Sequence, residues 1–235
     1  MLDPFVTEAE LVALRSADKY LPWVLSKLRQ ISKTEGGRQA ILLSEGLVKK
    51  LREEALPLAF FGHHFFEASP HVTFNHLMNE DYDANVFDDR PEPSPIKFIE
   101  VTQAHEGNDG YLRDLLLLEQ GHVHAFGPVH KSGTKKTGRT LSVESIAAGH
   151  IGVRDDEFRR IGAAGKRKEN NLYLPGTALL LSFDDALSIN HPGDVPALDE
   201  FVHKELIGSL TQFCCVAVIG TAAGRVCRVY GLDET

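Results

Sequence analysis

The sequence predicts an α/β protein in which helices flank a mixed central sheet. Segments with leucines at helical spacing alternate with short runs of Phe, Ile and Val, which is typical of this class. Residues 177–183 form a nearly unbroken apolar run, as expected for a strand buried on both faces. Residues 213–219 and 226–230 flank a glycine-containing connection and predict a closing hairpin.

Two regions are expected along the chain, an N-terminal helical extension over residues 1–34 and an α/β domain over residues 35–235. In the extension, Thr7 and Glu10 have the spacing of a capping box at a helix start. Pro22 interrupts the helical pattern that follows. One bent helix or two short helices are therefore expected there.

The rest of the pattern gives helices and strands in order. Helical spacing predicts a second helix over 38–56, ended by the proline that follows it. Residues 71–77 predict a strand, 110–120 a helix closed by Gly121, and 122–129 the next strand. A last helix is expected over 197–210.

Two strand-like segments, residues 81–87 and 96–103, carry isolated acids among Phe, Ile and Val. A carboxylate in an apolar strand is costly unless it is paired, hydrogen-bonded or bound to a cation. A hard divalent cation is one such partner. An exposed edge with its acids on the wet face is the other interpretation.

Alternation along a strand decides which side chains share a face. It groups Asp81, Asp83 and Asn85 on one side of the first segment, and Glu100 with Thr102 on one side of the second. If the segments pair as an antiparallel hairpin, a carboxylate from each can approach one Mg²⁺.

With these acids the chain resembles the PD-(D/E)xK nuclease superfamily, over about residues 36–130. The resemblance implies a restriction-endonuclease-like core of helix, three-stranded meander, helix and strand, and hydrolysis of DNA or RNA with Mg²⁺ or Mn²⁺. Asp83 matches the motif Asp and Glu100 the motif Glu. Both would bind the metal and act in catalysis, with Asp81 as a further ligand.

The chain departs from that motif at Thr102, where the superfamily usually has Lys. Polarisation of the attacking water would then fall to the metal, to Gln103, or to a residue from elsewhere in the chain. His105 is a further candidate base near the end of the same strand. In the resemblance an acid such as Glu53 or Glu54 sometimes assists the metal, but both are interpreted as surface charges.

A basic block lies within a chain of net charge -8, because residues 130–168 hold ten Lys and Arg against four acids. Its first part is expected to be a mobile, glycine-rich loop that grips phosphates. The candidate nucleic-acid contacts there are Lys131, Lys135, Lys136 and Arg139. The spacing is not that of a P-loop.

The second part of the block predicts a helix over residues 153–170. Phe158 and Ile161 are expected inward, and the five cations outward. Those cations are Arg159, Arg160, Lys166, Arg167 and Lys168. A solvated helix face has the same pattern, so contact with nucleic acid stays open here.

Histidines give a competing interpretation, a metal hydrolase of small molecules. His122 and His124 would point to one face of a strand, as a zinc ligand pair does. Ordinary hydrogen-bonded histidines are the alternative. The cysteines Cys214, Cys215 and Cys227 lack metal-site spacing and are expected to be buried small side chains.

No apolar run reaches membrane-spanning length and the first residues lack the form of a signal peptide, so a cytoplasmic protein without a membrane partner is expected. The expected partner is nucleic acid, DNA more than RNA, and a homodimer is compatible with the sequence. A nuclease-like fold that binds nucleic acid or assembles without catalysis is the main alternative to the enzyme, because Thr102 replaces the motif Lys.

Overall fold

The computed structural model describes residues 4–78, 82–124, 126–134, 138–224 and 226–231, without the side chains of Thr134 and Arg139. The helices are α1 (Glu8–Val12), α2 (Ala17–Ser32), α3 (Gly37–Leu42), α4 (Gly46–Lys50), α5 (Leu56–His64), α6 (Asn108–Gln120), α7 (His150–Lys166) and α8 (Asp194–Glu205). The strands are β1 (Arg15–Ser16), β2 (Val72–His76), β3 (Ala84–Asp88), β4 (Phe98–Gln103), β5 (Val129–Thr134), β6 (Gly138–Val143), β7 (Thr177–Phe183), β8 (Cys215–Gly220) and β9 (Cys227–Tyr230).

The predicted mixed sheet is present, with seven strands in the order β1-β2-β3-β4-β7-β8-β9. Strands β2, β3 and β4 form the expected antiparallel meander, and β8 and β9 form the expected hairpin. Strand β7 pairs in parallel with β4 on one side and with β8 on the other. All seven residues of β7 are buried, because helices cover both faces of the sheet.

Two hydrophobic cores lie on the two faces of the sheet. Helices α2 and α5 cover one face, where Val24 and Leu58 pack with Ile99 and Leu180. Helices α7 and α8 cover the other face, around Leu179, Leu181, Ile161 and Leu198. A smaller cluster joins α6 to the separate β5–β6 hairpin through Leu112, Leu116 and Leu141.

The predicted strand over residues 122–129 is wrong. The next strand of the sheet after the meander is β7, and β5 begins only at Val129 in the separate hairpin. A parallel neighbour of β4 needs a crossover connection back to the same end of the sheet. Helix α7 provides that crossover, so the pairing strand lies much later in the chain than local pattern suggested.

The N-terminal helices also differ from the prediction. The capping box of Thr7 and Glu10 is present at α1, but the helical pattern breaks at β1 and not at Pro22, which lies inside α2. Strand β1 pairs with β2, so the region predicted as an extension adds the edge strand of the main sheet.

The predicted second helix over 38–56 is divided into α3, α4, a π-helical turn over Leu51–Ala55, and α5. It does not end before Pro57, which occupies the first turn of α5, and the helix continues to His64. Because α5 follows the π-helical turn without a break, Pro57 leaves the carbonyl of Glu53, four residues earlier, without its N–H as a donor, and a side chain of β4 takes its place as described below. Helix α8 likewise begins at Asp194, ahead of the predicted start, with Pro196 in its first turn.

None of the helices in the described ranges is both long enough and apolar enough to cross a lipid bilayer.

Candidate active site

Asp83 and Glu100 lie near one another where β3 meets β4. Ala84 pairs with Ile99 at the end of this ladder, and Asp83 and Glu100 are the residues that adjoin that pair on the two strands. The main-chain N–H of Asp83 donates to the carbonyl of Ile99 over 2.8 Å, and Asp83 Oδ2 accepts from the N–H of Val101 over 2.7 Å. The predicted hairpin therefore does bring one carboxylate from each strand together.

The face on which this pair lies follows from alternation. Ala84 and Ile99 belong to the core beneath α2 and α5, so Glu100, the next residue of β4, points to the face covered by α7, where Lys168 reaches it. The Glu100 side chain is only 10% exposed. Two carboxylates are thus held together in a largely dry position at the end of the meander.

Burial, followed by the negative charges of Glu100 and Glu54, raises the pKa of Asp83 to about 7. The hydrogen bond from Val101 acts in the opposite direction but does not offset these effects. Such a pair is stable only when it holds a proton or when positive charge lies beside it.

Positive charge is supplied by Lys168, whose Nζ lies 2.5 Å from Oε1 of Glu100. Although burial alone would lower it, the pKa of Lys168 is raised by its hydrogen bond to Glu100 and by the charges of Glu100 and Asp83. The prediction that Lys168 points outward is therefore wrong. Helix α7 ends at Lys166, and the chain beyond it turns over β4.

The segment that carries Lys168 is fixed by main-chain contacts. The N–H of Lys168 donates to the carbonyl of Gly165 over 2.8 Å, and its own carbonyl accepts from Gln212 Nε2 over 2.8 Å. Arg167 donates to the carbonyl of Gln103 at the end of β4 over 2.9 Å. These bonds hold the ammonium beside the acid pair and not in solvent.

Close packing of α7 against α8 sets where that segment begins. A Cβ on Gly165 would lie 2.8 Å from Cδ2 of the buried Leu206. Any larger residue would have to displace that leucine or the helix. Glycine at this position therefore allows the close packing that sets where α7 ends relative to β4, and so where Lys168 lies.

Thr102 lies on the same side of β4 as Glu100 and is 8% exposed. It is the position at which the resemblance called for a lysine. The fold brings a lysine to Glu100 from elsewhere in the chain. Sequence separation concealed it, since nothing local links residues 68 positions apart.

The structure does not bring Gln103 to the acid pair. Its side chain lies on the opposite face of β4 and its Nε2 donates to the carbonyl of Glu53. That carbonyl is four residues before Pro57, which has no N–H to donate to it. Gln103 thus completes the hydrogen bonding of the helix, and a role in orienting water at the pair has no support.

Glu54 is not the surface charge that the sequence suggested. Its side chain is 21% exposed and accepts hydrogen bonds from Lys50 Nζ and from Nε2 of the buried His76. Because the π-helical turn packs against β4, the charge of Glu54 reaches Asp83 and contributes to its raised pKa. Glu54 therefore belongs to the electrostatic surroundings of the pair.

The other predicted participants are placed as follows. Asp81 lies outside the described residues. His105 is exposed beyond the end of β4, and its Nδ1 accepts a hydrogen bond from the N–H of Gly107. His122 and His124 are exposed and lie between α6, which Gly121 ends, and β5, which begins at Val129. Neither histidine is part of a strand. The zinc-ligand pair predicted on one strand face is thus not formed.

Across the described ranges, no three His, Cys, Asp or Glu side chains gather as a metal-binding group. Among the described residues, Asp83 and Glu100 are the predicted ligands that lie near one another, and Asp81 lies outside those residues. Mg²⁺ accepts such a site, since it is commonly bound by one or two carboxylates and keeps several of its waters. The three cysteines carry free thiols, with Cys215 buried and the other two half-buried, close to what the sequence predicted.

Residues 130–134 and 138–140 of the predicted mobile loop belong instead to the paired strands β5 and β6, in which Lys131 pairs with Leu141. Lys131 is exposed. Lys135 and Lys136 lie outside the described residues, as does the side chain of Arg139, so the proposed phosphate contact is untested at these positions.

Several cations of α7 are neutralised by nearby acids. Arg160 pairs with Glu157 and Glu106, and Arg159 pairs with Asp156. Phe158 and Ile161 are buried as predicted. The outward helix face therefore offers less unpaired positive charge than its composition indicated.

Comparison of the chain with protein-family models, with curated proteins and with solved structures found no match in any of the three.

Proposed function

We propose that the protein is a metal-dependent phosphodiesterase that hydrolyses nucleic acid. The observation that supports this best is the buried pair of Asp83 and Glu100 with the ammonium of Lys168 on Glu100. Two carboxylates and one lysine are the three functional groups implied by the resemblance to PD-(D/E)xK nucleases. Here the lysine comes from the end of α7 and not from β4.

The residues fit a divalent cation for an electrostatic reason. Burial raises the pKa of Asp83, and repulsion by the carboxylate of Glu100 raises it further. A hard cation would relieve that repulsion by taking both acids as oxygen ligands. A bound Mg²⁺ or Mn²⁺ would activate water and stabilise negative charge on the phosphate. Asp83 has to lose its proton before it can serve as a ligand.

Lys168 has a separate task in this proposal. Its ammonium is fixed at the acid pair by the contacts of Arg167, Gln212 and Gly165. A positioned ammonium can hold the attacking water and stabilise the charge that develops on a phosphate oxygen. Because the group is in place before substrate arrives, little reorganisation is needed during reaction.

Nucleic acid is the proposed substrate, DNA more than RNA, because the resemblance points to it and because cations lie near the pair. Lys166 and Arg167 adjoin Lys168 on the exposed end of α7. A chain of net charge -8 would otherwise repel a polyanion, so binding has to use local positive charge. Thr102 favours the alternative, a module that binds nucleic acid without cleaving it.

Cleavage assays on labelled single-stranded and duplex DNA and RNA, with Mg²⁺, Mn²⁺ or EDTA, test the proposal. Glu100→Gln should lower the cleavage rate by about 100-fold or more while nucleic-acid binding is retained. Glu157→Gln is the matched control, because Glu157 is also a buried carboxylate with a pKa raised by burial to about 7 but pairs with Arg160.

Two results would count against the enzyme. Cleavage that survives in Glu100→Gln would remove this site from the reaction. Binding without cleavage under either metal would favour the non-catalytic module.

A further inference from the structure

A groove of about 170 Å³ is lined by Tyr82, Leu172, Tyr173 and Leu174. Its walls come from the two segments that carry the candidate active site. Tyr82 immediately precedes Asp83, and Leu172 to Leu174 follow closely after Lys168. The groove therefore lies beside the segments that carry the acid pair and Lys168.

The two tyrosines are supported from within the protein. The Tyr82 ring packs on Phe98 with 4.5 Å between ring centroids, and Tyr173 packs on Phe213 at the same separation. Both tyrosines are only half-exposed. Rings held in this way present a flat surface to the groove at little conformational cost on binding.

Tyr173 lies within electrostatic reach of the acid pair. Burial raises the pKa of its hydroxyl, and the negative charges of Glu100 and Asp83 act in the same direction, whereas Lys168 and the hydrogen bond from Asn171 oppose them. A phosphate held at the pair would thus have Tyr173 as a near neighbour.

Two exposed leucines add apolar surface to the groove. Leu172 is 99% exposed and Leu174 is 50% exposed. Isolated exposed leucines are ordinary, but two leucines bordering two tyrosines in a concave groove are typical of a binding surface. The groove is too small for a duplex, and two of the four residues that line it are aromatic, the side-chain type on which single bases stack.

We infer that this groove receives one unpaired nucleobase of the strand whose phosphate lies at Asp83, Glu100 and Lys168. The inference rests on the proposed function and narrows its substrate to single-stranded or locally unpaired nucleic acid. Stacking on aromatic rings tolerates any base, so the groove would select for an unpaired base and not for sequence. The adjacent ammonium and Arg167 would hold the backbone on either side.

Binding of a short fluorescein-labelled deoxyoligonucleotide, followed by anisotropy in EDTA at about pH 6, tests the groove without cleavage. Tyr82→Ala and Tyr173→Ala should each raise the Kd for the single strand by about tenfold, whereas Tyr173→Phe should leave it unchanged. The affinity for the blunt duplex should be the same in all of them.

Two further variants guard against misfolding and surface effects. Leu172→Ser alters a fully exposed side chain, so it should fold normally and still weaken single-strand binding by about threefold. Tyr111→Ala removes an exposed tyrosine from α6 and should change nothing. A 2-aminopurine base in the strand should lose fluorescence on binding, and the loss should be smaller in Tyr173→Ala.

The groove and the proposed enzyme can fail separately. Aromatic-dependent binding of the single strand without cleavage by any metal would support the groove and refute the enzyme. Cleavage that proceeds while Tyr173→Ala and Leu172→Ser bind the single strand as the wild type does would overturn the groove alone. Equal losses for single strand and duplex, or no single-strand binding by the wild type, would also overturn it.

Discussion

The ammonium of Lys168 lies 2.5 Å from Oε1 of Glu100, although 68 positions separate them in the chain. Both side chains are mostly removed from water, with 21% and 10% of their surfaces exposed. Taking such a pair out of water costs about as much as its attraction returns, so stability alone gives little reason for it. Its place beside Asp83 gives a functional reason.

Moving the lysine tests that reason directly. Lys168→Ala should lower the single-turnover cleavage rate by about 100-fold, since the positioned ammonium is lost. Adding Thr102→Lys to that variant should restore part of the rate, because residue 102 shares a face with Glu100 and the side chain of Lys168 no longer fills the space. Lys166→Ala, an exposed neighbour, is the control.

A double variant that folds, as judged by circular dichroism, yet gains nothing over Lys168→Ala would count against an ammonium at Glu100 as the group required. A large loss in Lys166→Ala would instead indicate a general effect of positive charge at the end of α7.

Asp83 should make stability depend on pH in the absence of metal. Its pKa rises from 3.8 to about 7 on folding, so between these values the folded protein keeps a proton that the unfolded chain releases. The free energy of unfolding should therefore fall as pH rises from about 4 to 7, by on the order of 4 kcal/mol from this group. Asp83→Asn should remove that fall, because an amide does not titrate in this range. The variant should still fold, since the amide oxygen can accept the hydrogen bond from Val101.

Urea denaturation in EDTA measures the effect at several pH values. Asp83→Asn and the wild type should be equally stable near pH 4, and the variant should be the more stable near pH 8. Glu157 contributes a second fall of the same sign, since burial raises its pKa to about 7, and Glu157→Gln should remove that part independently. Identical pH profiles for Asp83→Asn and wild type would contradict a buried, raised Asp83.

Metal binding should displace the proton of Asp83. Near pH 6 the carboxyl is protonated in the folded protein, so Mg²⁺ or Mn²⁺ should release about one proton per site, and near pH 8 it should release none. Calorimetric titrations in buffers of different ionisation enthalpy measure the number. Glu100→Gln should bind neither ion measurably, and proton release that persists in Asp83→Asn would show that another group titrates.

Two glycines of α7 should respond in opposite ways to alanine. A Cβ at Gly152 meets nothing within 4 Å, so Gly152→Ala should raise the free energy of unfolding by about 0.5 to 1 kcal/mol through helix propensity. Gly165→Ala should lower it by about 1 kcal/mol or more, because the new atom would crowd Leu206 at 2.8 Å.

The same pair of variants reports on the site. Displacement of the end of α7 in Gly165→Ala should move Lys168 from Glu100 and slow cleavage several-fold, whereas Gly152→Ala should cleave as the wild type does. Thermal denaturation and the cleavage assay are the two measurements. Equal cleavage rates would show that the end of α7 tolerates a shift.

The sequence by itself determined the meander, strand β7 and the closing hairpin. Alternating apolar residues specified the meander, whose last pair on β3 and β4, Ala84 with Ile99, adjoins Asp83 and Glu100. The apolar run of β7 and the glycine-rich turn before β9 were equally legible. In each case the information lies within a few neighbouring residues.

Only the tertiary structure decided what stands beside that pair. The parallel partner of β4 is β7 and not the segment after α6. Gln103 donates a hydrogen bond to the Glu53 carbonyl, for which Pro57 has no N–H. Lys168 turns inward to Glu100. A cation in a helical pattern has no preferred direction until packing fixes where the helix ends. The position of the end of α7 depends on the close contact between Gly165 and Leu206. The periodicity of the sequence does not predict that contact.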